Sequence, residues 1–381
     1  TFRAGADLEF GSYADEETAD PGVNSPFLSL AYNRRTTHAD LSVSARYAEV
    51  DVGLSREADA DGQDLIIDQG VRAQTTLGAE LTLGRDTPLS YSGSVTFADR
   101  SYFDTNDPDL TDQTSFEIRQ ALSLSLSRVT RLTFALEYSE RDEDNPEDTF
   151  QTRASARVGL SHRTHTGLQA TASFGYSYDE IAETVNGVRD TDRNDAPVLS
   201  FSVVQPRRDG AFSASFTRSL DEQGSRSTLQ LGRSRELRQG SFDATLGVTV
   251  GETYDDLTLI GSLNVSRPLP RGGLTLGLSQ SVSADEDSDF LRTTASLGYS
   301  HEVSRLSQLS MRLDLSAVDA TNPDETDRQR TSVELAYRRQ LTEDWSFNAG
   351  VRHLTSRESD LEPIIENALF ANISRRFDLI P

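Results

Sequence analysis

Charged residues at alternate positions are the first chemistry this sequence offers. Arg46, Arg72, Glu80, Glu117, Arg119, Glu137, Arg153, Arg157, Asp243, Arg312, Asp314, Glu334 and Arg352 lie in segments whose apolar residues recur at every second place, and each takes the other parity. Side chains of a strand point alternately to opposite faces, so these charges share a wet face with many serines and threonines. Two kinds of work are open to them as candidate pore-lining residues. Arginines on one wall facing carboxylates on another would set a transverse field and a constriction, as charged rings do in selective pores. Alternatively, each arginine pairs with a carboxylate on the next strand and braces the sheet. Parity names the face of a residue and not its height, so both readings stay open at this level.

Other chemistries find less support. No G-x-S-x-G nucleophile elbow occurs. His38, His162, His165 and His301 fall in short turns, and His353, with Ser356 and Glu358 near it in sequence, reads as an interfacial polar residue rather than a base. No catalytic residue is assigned, and an enzyme is not expected. Asp285-Glu286-Asp287 with Asp289, and the stretch Glu140–Asp148, offer hard oxygen ligands but lack a calcium-loop spacing. They read as solvated charge, so no metal site and no cofactor is assigned. The chain has no cysteine, which removes disulfides and thiolate metal sites. A net charge of −24 argues against nucleic acid, which needs clustered cations. The 37 basic residues are all arginine.

The elements that must hold these residues follow from the period. In Leu89-Ser90-Tyr91-Ser92-Gly93-Ser94-Val95-Thr96-Phe97 one face is apolar and the other hydroxylic. The pattern returns at Leu41-Val43-Ala45-Tyr47, Leu132-Phe134-Leu136-Tyr138, Phe242-Ala244-Leu246-Val248-Val250, Leu309-Met311-Leu313-Leu315 and Leu369-Ala371-Ile373. Connections alternate between short turns, as at Gly84–Pro88 and Gln205–Gly210, and acidic segments, as at Ser55–Asp64, Asp99–Asp112, Asp179–Asp195 and Asp221–Gly224. Counting segments predicts an all-β, up-and-down antiparallel barrel of about twenty strands, with 16–18 or 22 as alternatives, forming one domain over residues 1–381. Thr1-Phe2-Arg3-Ala4 reads as the start of a strand, hence a mature form or an excised domain. Gln120 and Gln280 fall on the apolar parity, where either a β-bulge shifts the register or a polar side chain is tolerated.

A sheet this wide cannot bury its apolar face inside, because barrels of roughly 16–18 strands already enclose water. The apolar face therefore points outward, and hydrophobic residues at only 35% of the chain suit a structure whose other face is wet. An outward apolar band needs lipid.

On these grounds the chain resembles Gram-negative outer-membrane barrels of the porin type, in particular the loosely defined β-barrel porins of proteobacteria. The segment Leu369-Phe370-Ala371-Asn372-Ile373-Ser374-Arg375-Arg376-Phe377 carries the resemblance most specifically, since such barrels end in an amphipathic strand closing on an aromatic residue. The resemblance implies that Phe377 is the signal read by the barrel-assembly machinery, although Asp378-Leu379-Ile380-Pro381 follow it. It also implies a bacterial outer-membrane location, extracellular acidic loops, periplasmic short turns and periplasmic termini. Tyr47, Phe97, Tyr138, Phe150, Tyr176 and Tyr178, with Phe10 and Tyr13, would form interfacial girdles. Outer-membrane lipids and lipopolysaccharide, bridged unspecifically by Mg²⁺ or Ca²⁺, are the expected surroundings. The expected function is passive or weakly selective diffusion of small hydrophilic solutes. The alternatives are the barrel of a polysaccharide or polymer export protein, and a non-conducting structural or adhesive barrel.

Overall fold

Period-two alternation with serine and threonine on one face leaves the backbone a single economical solution, a ladder on both sides of every strand. The computed structural model describes residues 10–12, 27–51, 70–105, 110–185, 188–221, 223–251, 257–284, 289–320, 326–359 and 363–375. Its strands are β1 (Phe10–Ser12), β2 (Phe27–Arg35), β3 (Ala39–Asp51), β4 (Val71–Leu83), β5 (Leu89–Phe103), β6 (Asp112–Ser125) and β7 (Thr130–Asp144). They continue as β8 (Thr149–Arg163), β9 (Gln169–Val185), β10 (Val188–Arg207), β11 (Gly210–Asp221), β12 (Gly224–Leu237), β13 (Gly240–Val250) and β14 (Thr258–Leu269). The last are β15 (Gly272–Ala284), β16 (Asp289–Ser304), β17 (Ser307–Ala320), β18 (Arg328–Gln340), β19 (Trp345–Glu358) and β20 (Ile364–Arg375).

From β2 to β20 every strand pairs antiparallel with its sequence neighbour. The last strand then takes the first as its partner, with Ala371 opposite Phe10. The result is a single 20-stranded up-and-down sheet whose last strand reaches back to the first; among the described residues β1 and β2 do not pair.

The short turns stand where composition placed them. Arg208-Asp209, Arg238-Gln239 and Pro270-Arg271 each join two strands with two residues. Gly240 then opens its strand at φ 118°, and a Cβ there would lie 2.0 Å from the Ser266 carbonyl oxygen, so the turn admits only glycine.

The long acidic connections need correction. Asp179–Asp195 is not a loop, because β9 and β10 run through it as a ladder that ends with Val185 opposite Val188. These strands have 17 and 20 residues, far more than a bilayer requires. β7 likewise extends through Glu140 and Asp142 to Asp144, whereas Asp221–Gly224 is the short acidic connection expected, with Asp221 facing Gly224. Charge did not end these strands, since their backbone bonds remain satisfied along the ladder while the acidic side chains are either solvated or, like Asp179, paired on the inward face. Ser55–Asp64 lies outside the described residues.

The apolar face is the exposed one. Leu136 is 58% exposed, Phe174 63%, Leu246 61% and Leu369 70%. The polar face is concave: Arg226 on β12 reaches Asp289 at the head of β16, and strands four apart can meet only on the inner side of a curved sheet. Gln120 and Gln280 keep unbroken register, opposite Gly93 and Leu136, and opposite Gly261 and Thr293. Both are therefore tolerated polar side chains on the outer face rather than bulges.

Candidate functional site

Register supplies the height that parity lacks, and it sorts the inward charges into two levels. The lower is a belt about six residues, roughly 20 Å of strand, above the short turns. On β6 and β7, Arg119 stands directly opposite Glu137 and donates from Nε to its Oε1 at 2.9 Å. Arg119 also pairs with Glu117 on its own strand, and Arg157 on β8 adds its field to Glu137. Further round the sheet, Arg312, Glu334 and Arg352 stand opposite one another on β17, β18 and β19. Arg352 binds Glu334 at 3.0 Å and lies over the Phe370 ring at 5.9 Å, and Arg312 binds Asp314 at 2.9 Å. These contacts favour cross-strand bracing over a transverse field for this part of the candidate set.

Three candidates stand differently. Arg46, Glu80 and Asp243 are exposed on the inward face and make no ion pair among the described residues. They remain available to whatever enters.

The upper level, toward the long connections, is packed. Asp179 on β9 is 2% exposed and takes Arg153 at 2.9 Å and Gln151 at 3.1 Å. Arg226 is clamped between Asp221 at 2.6 Å and Asp289. Arg72 is buried at this level. Between these charges the inward face turns apolar, with Ile181, Val198, Ile260, Phe290, Val318 and Leu354 all buried. Phe290 and Val318 touch across β16 and β17. The inward face is thus exposed and charged toward the short turns and holds more buried side chains toward the long connections.

Sequence reasoning missed Asp179, Asp221, Arg226 and the inward apolar residues, and read Asp289 as solvated charge. The parity signal was present, since Ser173, Ser177 and Asp179 continue one face, but it ran into segments whose acidity read as loop. The histidine constellation dissolves: His353 takes the outward parity and contacts Asn367 at 2.8 Å, whereas Ser356 takes the inward parity. Among the described residues no cluster of three ligating side chains could hold a metal. Phe377 lies outside the described residues.

One turn carries a pH-dependent contact. Asp209 accepts from Arg233 at 3.1 Å and from Arg235 at 2.9 Å. The Arg233 hydrogen bond outweighs desolvation and holds the Asp209 carboxyl below its usual range. A depressed carboxylate stabilises fully above its unfolded value, about 3.9, and the gain is lost as pH falls through its folded value. Urea denaturation midpoints of wild type and Asp209→Asn should therefore differ at neutral pH and converge below about pH 4. A gap that widens on acidification would contradict this.

No protein-family model and no curated sequence matches the chain. Solved structures do. The FrpB iron transporter from Neisseria meningitidis (F5-1 variant) aligns over 98% of this chain and 76% of its own, with a TM-score of 0.63 at 10% identity. The ferric enterobactin receptor PfeA mutant (R480A_Q482A) from Pseudomonas aeruginosa covers 98% of this chain and 81% of its own, with a TM-score of 0.54 at 9% identity. The ferric-catecholate import receptor Fiu from E. coli K12 covers 98% and 81%, also with a TM-score of 0.54, at 8% identity.

The likeness establishes the fold, a β-barrel of the kind that spans the bacterial outer membrane. It also corrects the porin expectation. The aligned barrels are iron transporters and siderophore receptors, not passive diffusion pores, polymer exporters or structural barrels.

Proposed function

We propose that the chain is a ligand-selective uptake barrel for a bulky polar solute of the metal-chelate class, taken up from the side of the long connections. The observation that carries this reading is the division of the inward face into a layer of buried ion pairs and apolar side chains toward the long connections and an exposed, charged layer toward the short turns. Such a passage opens to a ligand that rearranges its upper layer, and it holds back solutes that do not. The end-to-end likeness to iron-chelate receptors supports the same class of cargo. Arg46 and Arg157 then offer cationic contacts for an anionic chelate in the lower half, and the braced pairs around them keep the wall rigid. In this reading the short turns face the periplasm, the acidic hairpins face outward, and the protein performs no covalent chemistry.

Equilibrium dialysis of the refolded protein against radio-iron catecholate and hydroxamate chelates tests the proposal. Saturable binding, competed by unlabelled chelate and weakened by Arg46→Gln, is the expected result. Absence of saturable binding to either class, together with a steady ohmic current in a planar bilayer, would overturn it.

A further inference from the structure

We infer that the outward rim at the short-turn end is a binding collar for anionic phospholipid headgroups. The evidence is the way the lipid-facing stripes end. Two residues beyond Tyr32 the same face of β2 carries Arg34, and beyond Val265 on β14 it carries Arg267. Arg339 follows Tyr337 on β18, and Arg207 follows Val203 and Gln205 on β10. All four arginines are exposed and make no ion pair among the described residues. Arg233 and Arg235 share this rim but are already held by Asp209.

At the outward strand positions no carboxylate stands beside the four, although the adjoining turns carry Asp209, Glu343 and Asp344. Among the described residues, no strand puts a carboxylate at outward parity in its last two positions before a short turn. The other rim is mixed: Glu49, Glu140 and Glu180 each accept from the tyrosine two residues before it on the outward face, and Arg193, which pairs with Glu180, and Arg218 lie on that face too. The outward strand positions are thus basic without carboxylates at the short-turn end only.

Geometry says what covers the basic collar. Two strand residues advance about 7 Å, so guanidinium groups just past an apolar band in hydrocarbon lie at headgroup depth. There each presents a planar fork of donors suited to phosphate. A row of such forks favours lipids with net negative charge over zwitterionic ones, whose own ammonium competes for the phosphate.

The chain supplies its own reporter. Trp345 is the single tryptophan, 38% exposed, at the short-turn end of β19 and a diagonal neighbour of Arg339 across the β18–β19 ladder. The experiment is to refold the protein into phosphatidylcholine vesicles that contain an equal mole fraction of either brominated phosphatidylglycerol or brominated phosphatidylcholine. Bromine quenches tryptophan only at contact range. The expected result is stronger quenching by the phosphatidylglycerol, equivalent to roughly fivefold enrichment at Trp345. The variant combining Arg34→Gln, Arg207→Gln, Arg267→Gln and Arg339→Gln should lose this preference while still migrating as a folded barrel. If it does not fold, Arg339→Gln alone should remove most of the local preference. Equal quenching by both lipids in the wild type, or a preference that survives Arg339→Gln, would overturn the collar without touching the uptake proposal.

Discussion

Leu246→Arg is expected to prevent insertion, whereas Thr245→Arg, one residue away, inserts at close to wild-type yield. Leu246 sits mid-strand on the outward face of β13, 61% exposed, opposite Leu231 and Gly261. An arginine at that depth costs about 2–4 kcal/mol against lipid. Thr245 faces inward and shares a hydroxyl contact with Ser262 at 2.8 Å, so replacement loses about 1 kcal/mol and gains solvation in the lumen. The yield of heat-modifiable protein after refolding into vesicles reads both variants. Equal yields would mean that the outward and inward faces of β13 are assigned wrongly. Leu124, by contrast, lies one residue from the short-turn end of β6, where the same charge would reach the headgroups, so it makes a poorer test.

The Arg226 clamp should show the second large effect. Arg226→Met leaves Asp289 and Asp221 facing each other with no cation between them. The Arg226 side chain is 11% exposed and that of Asp289 7%, so solvent offers little relief. Removing one partner of a buried pair typically costs about 3–5 kcal/mol. The expected outcome is a lowered urea midpoint, together with ion current through a passage whose upper layer has loosened. The double variant Arg226→Met/Asp289→Leu should recover much of the stability, because both buried charges leave together. If the single variant matched wild type in both readouts, the clamp would not hold the upper layer shut.

These two predictions rest on different kinds of knowledge. The face of Leu246 follows from alternation, and the structure confirms it without a register break. The Arg226–Asp289 contact joins residues 63 apart in sequence, on strands that do not pair, and no local pattern could have matched them. The same contrast runs through the lumen. Parity put Arg119, Glu137, Glu334 and Arg352 on one face, and the ladder shows them as partners directly opposite one another.

Two errors share one cause. Acidic composition was read as loop, which cut β9 and β10 short and hid Asp179 and Ile181 beyond the assumed strand ends. A polar hairpin held by backbone bonds looks, residue by residue, like a solvated loop. Only its cross-strand register, with Asp179 opposite Asn194 and Ile181 opposite Asp192, distinguishes the two.

The sequence by itself determined the class of fold, the approximate strand number, the outer face, the short turns and the sidedness of nearly every strand charge. All of these depend on the two-residue period and on turn chemistry, which are local. Tertiary structure alone decided the height of each charge, the pairing that neutralises most of them, the apolar packing of the upper lumen and the gathering of Arg34, Arg207, Arg267 and Arg339 into one collar. Those properties depend on how many residues each strand climbs before it meets its neighbour, and on which distant strands the curvature of the sheet brings face to face.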